Sequence, residues 1–333
     1  MSARVDMMRA VMQDRYGPPT EVLQMAEIAV PEPGPDEVRI SVHAASVNPA
    51  DWHLVRGEPL VARLVFGLRG PKKVVPGADV AGVIDAVGAA VTDLAVGDEV
   101  YGDVGDVRMG TFADAVVAPA ALIAPKPAPL SMVEAAAIPL AGITALQAIQ
   151  RGGVGQGTRV LVVGASGGVG HFAVQIAAAA GATVTAVCSG RNAEFVRSLG
   201  AERVIDYTTE SYLEGGEYDL VIQLSGTAPA MAFRPVLAAR GHVQMLTGDG
   251  ESRWLGPVGR SVGGLVRSPF VGQRFSMFSA TANGPDLRRM TELIEAGRVR
   301  PSIEQTCSLA DAPAAIARIE QAHTRGKVVV DVV

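Results

Sequence analysis

Cysteine, aromatic residues and long apolar runs are all scarce in this chain of 333 residues. The two cysteines, Cys188 and Cys307, are too few for a disulfide framework or a four-thiolate zinc site. Aromatic residues make up 5% of the sequence, so Val, Ala, Leu and Ile must fill the core. No stretch reaches the roughly 18 consecutive apolar residues of a transmembrane helix, and the first residues lack the apolar centre of a signal peptide. We therefore expect a cytoplasmic protein with no membrane partner.

An excess of basic charge is also absent. Lys and Arg number 29 against 34 Asp and Glu, which gives a net charge of −5. Because no long Lys/Arg run is present, we do not expect a nucleic-acid partner. A hydrophobic content of 48% argues against disorder. Domains usually contain about 100–200 residues, so the length predicts two of them.

The pattern of secondary structure changes near residue 127. Before it, short apolar runs such as Val38–Ala44 and Val80–Val87 predict strands separated by Gly and Pro turns. After it, Ser131–Gln150 is helical in pattern and opens on a Ser131/Glu134 capping box. Strands and helices then alternate, which predicts a parallel sheet. The predicted strands are Arg159–Val163, Thr183–Val187, Arg203–Ile205, Tyr218–Leu224 and His242–Leu246, with helices over Gly170–Ala180 and Asn192–Leu199.

A glycine loop, GASGGVG at Gly164–Gly170, lies between a predicted strand and a predicted helix. This is the context of a dinucleotide fingerprint, with Ala165, Gly167 and Gly170 at the three glycine positions. Gly167 lets the backbone approach a pyrophosphate, and the helix N-terminus offers free amides to it. The loop residues expected at the cofactor are Ala165, Ser166, Gly167, Gly168 and Val169. The alternative is a structural turn that binds no cofactor.

The end of the next strand favours NADPH over NADH. An acidic residue there would bind the ribose 2′-hydroxyl of NAD, but residues 187–192 contain no Asp or Glu. Ser189 and Arg191 can bind a 2′-phosphate, and Asn192 and Tyr207 lie close by in the predicted fold. The alternative is that Arg191 is a solvated residue at a helix start.

Motifs along nearly the whole length resemble the medium-chain dehydrogenase/reductase superfamily, in its zinc-free quinone oxidoreductase-like branch. They are AASVNPADWHLVRG at Ala44–Gly57, VPGADVAGVIDAVG at Val75–Gly88, AVGDEVYG at Ala95–Gly102, IPLAGITALQAI at Ile138–Ile149, VLVVGASGGVG at Val160–Gly170, and GKVVVDV at Gly326–Val332. The resemblance implies an α/β protein with a GroES-like β-rich catalytic domain, residues 1–127 and 272–333, and a Rossmann domain with a doubly wound parallel sheet that binds NADP, residues 128–271. The active site would lie between the domains, and the assembly would be a homodimer.

The resemblance also implies that no metal is bound. Zinc-dependent members have a Cys near Asn48 and a His–Glu pair near Ala78 and Asp79, and Ala78 cannot bind metal. Asp51, His53 and Asp79 are the nearby candidates, and we expect none of them to be a ligand.

Without a Lewis acid, reduction of a quinone or an α,β-unsaturated carbonyl is favoured, because such acceptors delocalise negative charge themselves. Asn48 is the candidate to bind a substrate carbonyl or the nicotinamide amide; alternatively it caps loop backbone. His53, where the quinone reductase motif often has Tyr, is the candidate proton donor; alternatively it is a packing residue and water supplies the proton. A second class of function is a catalytically silent NADPH-binding protein.

Further cofactor contacts are expected from two sources. The family implies Thr144, Phe278 and Lys327, and the strand ends predict Leu224, Ser225, Leu246 and Thr247. Aromatic residues could form an apolar substrate wall or belong to the core. They are Trp52, Trp254, Phe270 and Phe275.

Overall fold

The chain forms a β-rich lobe up to residue 127, then a parallel sheet, and returns to the β-rich lobe after residue 277. The computed structural model describes residues 6–72, 74–105, 107–246, 272–321 and 324–333. The predicted fold class, a β-rich lobe beside a parallel sheet, is confirmed. Thr247, Trp254 and Phe270, named above as candidates, lie outside the described residues.

The β-rich lobe is built around one long strand, β3 (Glu37–Val47), which pairs antiparallel with three others. The seven-stranded sheet has the order β14-β15-β3-β4-β5-β7, and β6 adds to β3 beside this path. A separate antiparallel pair, β1-β2, lies outside it. The strands of this lobe are β1 (Met7–Met12), β2 (Gln24–Ala29), β3, β4 (Asp79–Val87), β5 (Glu99–Asp103), β6 (Ala115–Pro119), β7 (Ile123–Pro125), β14 (Ile303–Ser308) and β15 (Lys327–Asp331).

The second lobe contains a six-stranded parallel sheet in the order β10-β9-β8-β11-β12-β13. The chain starts at β8, builds outward on one side, and then crosses to build outward on the other. A crevice therefore opens at the carboxyl ends of the strands beside β8, the usual ligand site of such sheets. The strands are β8 (Arg159–Val163), β9 (Thr183–Cys188), β10 (Arg203–Asp206), β11 (Tyr218–Gln223), β12 (Leu237–Met245) and β13 (Arg274–Met277).

The sixth strand extends the parallel sheet past residue 272, where the sequence places the domain boundary. Arg274–Met277 pairs parallel with β12, so the chain leaves the Rossmann sheet only after Met277. Phe275 is the physical reason, because its ring is buried in the apolar cluster on one face of this sheet. Phe275 is therefore a core residue rather than part of a substrate wall.

Helices cover the sheets and close the gap between the lobes. The capping box predicted at Ser131 is confirmed: the Glu134 amide donates to Ser131 Oγ at 3.2 Å, and the Ser131 amide donates to the Glu134 carboxylate at 2.9 Å. The helices of the described residues are α1 (Pro19–Val22), α2 (Pro49–Arg56), α3 (Arg63–Phe66), α4 (Met132–Ala136), α5 (Pro139–Arg151), α6 (Gly170–Ala179), α7 (Ala193–Ser198), α8 (Gly284–Glu295) and α9 (Ala312–Glu320).

The two lobes share one apolar core. A single cluster joins Ala81 and Val329 of the β-rich sheet to Ile143 of α5 and to Val160 and Leu220 of the parallel sheet. Within the described ranges, no helix has the length and apolar character needed to cross a bilayer.

Candidate functional site

The glycine loop joins β8 to α6 at the point where the strand order reverses. The amides of Gly164 and Ala165 donate to the carbonyl of Val187 at 3.1 and 3.0 Å, and the amide of Gly167 donates to the carbonyl of Gly164 at 3.1 Å. Among the described residues, the amides of Ser166, Gly168 and Val169 have no hydrogen-bond acceptor. The loop thus folds on itself and leaves amides beside the N-terminus of α6, which suits an anionic ligand.

The glycines of this loop fit a dinucleotide. A Cβ on Gly170 would collide with the carbonyl of Gly164, so only glycine lets α6 pack this close to β8. A Cβ on Gly167 would meet only the Gly164 carbonyl, at 3.4 Å, which leaves open space for a phosphate group. Gly164 has a φ of +87°, which favours glycine. Ala165 at the first fingerprint position is fully buried and does not disturb this arrangement.

The expected 2′-phosphate residues are brought together beside the loop. Ser189 follows β9, and the buried amide of Asn192 donates to Ser166 Oγ at 3.1 Å and to Ser189 Oγ at 3.4 Å. Arg191 is exposed in the turn Gly190–Asn192. The ring of Tyr207 is half exposed, and its amide donates to the carbonyl of Cys188 at 3.3 Å.

One acidic residue at this position was missed. Asp206 ends β10 and pairs in register with Cys188, and a Cβ on Gly190 would collide with its carboxylate. Hydrogen bonds from the amide and hydroxyl of Thr208 hold the pKa of Asp206 below its ordinary value, so it is charged. The contact with Gly190 makes Asp206 a support for the turn that carries Ser189 and Arg191. The register between β9 and β10 places Asp206 beside Gly190, and no sequence pattern within one segment predicts this contact.

A buried polar cluster lies where the two lobes meet. Lys327, the first residue of β15, donates from Nζ to Asn48 Oδ1 at 2.5 Å and lies 3.4 Å from Asp79 Oδ2. Asn48 Nδ2 donates to the same Asp79 oxygen at 2.9 Å and to the Ser46 carbonyl at 3.3 Å. Asp79 begins β4, and the Leu140 amide in the first turn of α5 donates to its Oδ1 at 2.7 Å. The ammonium, the amide and the carboxylate are all buried.

Lys327 also contacts the glycine loop. A Cβ on Gly168 would lie 3.2 Å from Cδ of Lys327, so the lysine chain passes directly over the loop. Its ammonium therefore connects the phosphate-binding end of the site to Asn48.

Asp51 supports this cluster from the first turn of α2. Its carboxylate accepts the amide of Asn48 at 2.7 Å and the amide of Gly77 at 3.0 Å. Burial raises the pKa of Asp51 to about 7, and the nearby charge of Asp79 adds to that shift, while the two amide hydrogen bonds and Lys327 oppose it. The carboxyl group is part of a capping box, and it fixes the start of the helix that follows Asn48 and carries His53.

His53 lies on the same helix with a defined tautomer. Its ring stacks on Trp52 at a centroid distance of 3.6 Å, and Nδ1 lies 2.7 Å from the carbonyl of Glu58. A carbonyl can only accept, so Nδ1 carries the hydrogen. Neutral His53 then carries no hydrogen on Nε2, and that atom can donate a proton only when the ring is cationic.

The remaining candidates lie on α5, at the ends of two strands of the parallel sheet, and beside the last turn of α5. Thr144, one turn after Leu140, donates to the Leu140 carbonyl at 2.6 Å and so lies near Asp79. Leu224, Ser225 and Leu246 follow the ends of β11 and β12, and Ser225 lies against Gly164. Phe278 is not brought to this cluster. Its ring is buried with the Arg151 guanidinium 4.3 Å above it, at the last turn of α5.

Metal ligands do not gather at this site. Across the ranges that the structure describes, no three His, Cys, Asp or Glu side chains could hold a metal ion. At the positions where zinc-dependent relatives have ligands, Ala78 is apolar, and Asn48 and Asp79 are engaged with Lys327.

Two family models match parts of this chain. Residues 34–128 match the family model for the alcohol dehydrogenase GroES-like domain, and residues 199–330 match the model for zinc-binding dehydrogenases. The mouse (Mus musculus) mitochondrial NAD(P)H oxidoreductase RTN4IP1 is 35% identical, over 100% of this chain and 91% of its own length. The tomato (Solanum lycopersicum) 2-methylene-furan-3-one reductase is 33% identical, over 97% of this chain and 79% of its own.

The solved structures agree with these relatives. The quinone oxidoreductase from Coxiella burnetii superposes with a TM-score of 0.87 at 30% identity, covering 98% of this chain and 100% of that one. The relatives and the solved structure match nearly the full length of the chain, and both family models name dehydrogenases. The chain is an oxidoreductase that belongs to the medium-chain dehydrogenase/reductase superfamily.

Proposed function

We propose that this protein is an NADPH-dependent, zinc-independent reductase of quinones or α,β-unsaturated carbonyls. The observation that carries the proposal is the position of Lys327, which packs on the glycine loop and hydrogen-bonds Asn48 beside Asp79. A dinucleotide site and a buried positive charge are thereby joined in one crevice.

The residues that would hold the cofactor are those of the loop and the adjoining turn. The amides of Ser166, Gly168 and Val169 would bind the pyrophosphate, and Ser189 and Arg191 would bind the 2′-phosphate. When bound, the cofactor supplies the hydride.

The ammonium of Lys327 provides the fixed positive charge of the crevice. It lies between Asn48 and Asp79, the region where zinc-dependent relatives hold their metal, and the Asp79 carboxylate has donors in Ser46, Asn48 and Leu140. A buried positive charge stabilises negative charge that develops on an acceptor oxygen. Lys327 and Asp79 also fix the amide of Asn48, because the ammonium must face its oxygen and the carboxylate its nitrogen.

The acceptor class follows from what the crevice offers. One ammonium and one amide give less stabilisation than a metal Lewis acid, so an acceptor that spreads charge over its own π-system is favoured. The names of the relatives are consistent with this class, since one is a quinone oxidoreductase and another reduces a 2-methylene-furan-3-one.

Cofactor choice is tested by measuring dissociation constants for NADPH and NADH from the fluorescence of the bound nicotinamide. We expect NADPH to bind more tightly, by roughly tenfold or more, because a charge-assisted hydrogen bond contributes about 1.5–3 kcal/mol. Equal or tighter binding of NADH would contradict the proposed 2′-phosphate site.

The reaction is tested by following NADPH oxidation with a panel of quinones, enals, enones, simple ketones and alcohols. We expect turnover with quinones or enones, unchanged by chelators and without stoichiometric zinc. Tight NADPH binding without any turnover would favour the silent binding protein, and chelator-sensitive activity would contradict the zinc-free site.

A further inference from the structure

His171 is fully buried, and its ring joins the two segments that form the proposed site. Nδ1 lies 3.0 Å from the carbonyl of Gly167, in the glycine loop. On the opposite side, the amide of Ser302 donates to Nε2 at 3.1 Å. The two bonds specify the same tautomer, with the hydrogen on Nδ1, because a carbonyl only accepts and an amide only donates.

Two further hydrogen bonds complete a circuit through this ring. The carbonyl of Ser302 accepts the amide of Lys327 at 2.8 Å, and the amide of Gly326 donates to the carbonyl of Ser166 at 2.8 Å. Gly326 has a φ of +77°, and a Cβ there would collide with the Ser302 carbonyl, so the circuit requires glycine. The glycine loop and the Lys327 backbone are thus held to each other at both ends.

A neighbouring side chain joins the same two segments without taking part in this circuit. Gln175, one turn further along α6, exchanges hydrogen bonds of 2.9 Å with both the amide and the carbonyl of Arg300. Its side chain also donates to the backbone carbonyl of His171 at 2.9 Å, but it bonds neither the His171 ring, nor the glycine loop, nor Lys327. Gln175 therefore provides a matched control for a purely structural role.

We propose that His171 is a positioning residue that couples the shape of the phosphate-binding loop to the position of Lys327. The inference rests on the proposed function and extends it to a residue outside the crevice. Cofactor phosphates that engage the loop then also fix Lys327, and loss of the ring removes one of the two connections between them, so that only the Gly326–Ser166 hydrogen bond still joins the loop to the Lys327 backbone.

The substitutions His171→Asn and His171→Gln each keep one of the two hydrogen bonds of the ring and remove the other. Asn can keep the bond to the Gly167 carbonyl, whereas Gln reaches far enough to accept the Ser302 amide. We expect each to weaken NADPH binding about tenfold, the effect of one lost hydrogen bond, and to change the Km for the acceptor as well. Gln175→Ala should lower thermal stability and leave NADPH binding within about twofold.

The results distinguish a failure of the positioning role from a failure of the proposed function. Unchanged NADPH binding in both His171 variants would overturn the positioning role, as would an equal loss in Gln175→Ala. If wild-type protein binds neither NADPH nor NADH, the proposed function itself fails.

A measurement on wild-type protein covers the case in which the His171 variants do not fold. Hydrogen exchange is followed with and without saturating NADPH in three segments: residues 164–171, 300–303 and 326–328. We expect slower exchange in all three on binding. Protection confined to residues 164–171 would overturn the coupling.

Discussion

Lys327 is the residue at which the phosphate-binding and substrate ends of the crevice meet. Its ammonium is the positive charge nearest to the buried Asp79 carboxylate, and its aliphatic chain covers the glycine loop. Removing one member of a buried charge pair leaves the other uncompensated, which costs about 3–5 kcal/mol.

For Lys327→Met we therefore expect reductase turnover to fall by about a hundredfold and the melting temperature to fall. Lys126→Met is the control, because Lys126 is also largely buried but donates to the carbonyls of Pro127 and Leu130. Steady-state kinetics and thermal unfolding of both variants check this. Turnover in Lys327→Met equal to that in Lys126→Met would remove the ammonium from the mechanism.

Two buried groups near the crevice give opposite pH dependences of stability. Burial raises the pKa of Asp51 from 3.8 to about 7 and lowers the pKa of His171 from 6.5 to about 4. As the pH falls from about 7 to 4, folded Asp51 takes up a proton that the unfolded chain does not yet bind, so its contribution to stability rises. Between pH 6.5 and about 4, the unfolded chain binds a proton at His171 and the folded chain does not. The contribution of His171 to stability therefore falls as the pH falls.

Substitution of each group should separate the two effects. We expect Asp51→Asn to lose stability in acid more steeply than wild type, and His171→Asn less steeply, by up to about 1.4 kcal/mol per pH unit. Urea unfolding between pH 4.5 and 7 measures both slopes. His242, whose pKa burial lowers to about 4, is common to all three proteins and cancels. If the free energy of unfolding changed with pH in the same way in all three proteins, the pKa shifts assigned to Asp51 and His171 would be contradicted.

At the scale of elements, the turn after β9 is the part of the proposed site that would select between NADPH and NADH. Asn192 ties the turn to the glycine loop through Ser166, and Asp206 packs against it at Gly190. Arg191 is exposed in this turn, and it is the candidate to bind a 2′-phosphate.

Arg191→Ala should weaken NADPH binding about tenfold and leave NADH binding unchanged, because only NADPH carries the 2′-phosphate. Fluorescence titration of both cofactors measures the ratio. Arg197→Ala, an exposed arginine on the following helix α7, is the control. An equal loss for both cofactors would mean that Arg191 acts on the fold rather than on the phosphate.

Local patterns predicted the elements well because each pattern is contained in one segment. The strand Arg159–Val163, the glycine loop and the Ser131 cap all lie where the residues indicated. Contacts between distant segments were the part that could not be predicted. Asn48 and Lys327 lie 279 residues apart, and their hydrogen bond depends on how two sheets pack.

Two further residues show the same limit. Asp206 reaches the cofactor turn through the register of a parallel ladder, which no single segment encodes. The ring of Phe278 turns toward Arg151, because it fills the core beneath the last turn of α5.

For the whole molecule, the shared core makes the two lobes one cooperative unit. Tyr101 of β5 is buried between them, and its hydroxyl donates to the Leu287 carbonyl at 2.6 Å with Thr291 Oγ1 2.9 Å away. Tyr101→Phe should lower the free energy of unfolding by about 1 kcal/mol, since it removes the buried hydrogen bond from the hydroxyl to the Leu287 carbonyl. Chemical denaturation measures it, with the half-exposed Tyr207→Phe as control. An unchanged unfolding free energy would show that water replaces the hydroxyl.

The family expectation of a homodimer stays a prediction. Among the described strands, β13 comes last in the order of the parallel sheet, next to β12. Light scattering after size exclusion gives the mass directly, and a monomer at micromolar concentration would contradict the expectation.

The shared core also bears on how this scaffold can be engineered. A chimera that took one complete lobe from a relative would bring foreign side chains against Ile143 and Tyr101, with the penalties of mismatched packing. Exchange of acceptor preference is better sought by grafting the loops that rim the crevice, which leaves the joint interior of the two lobes intact.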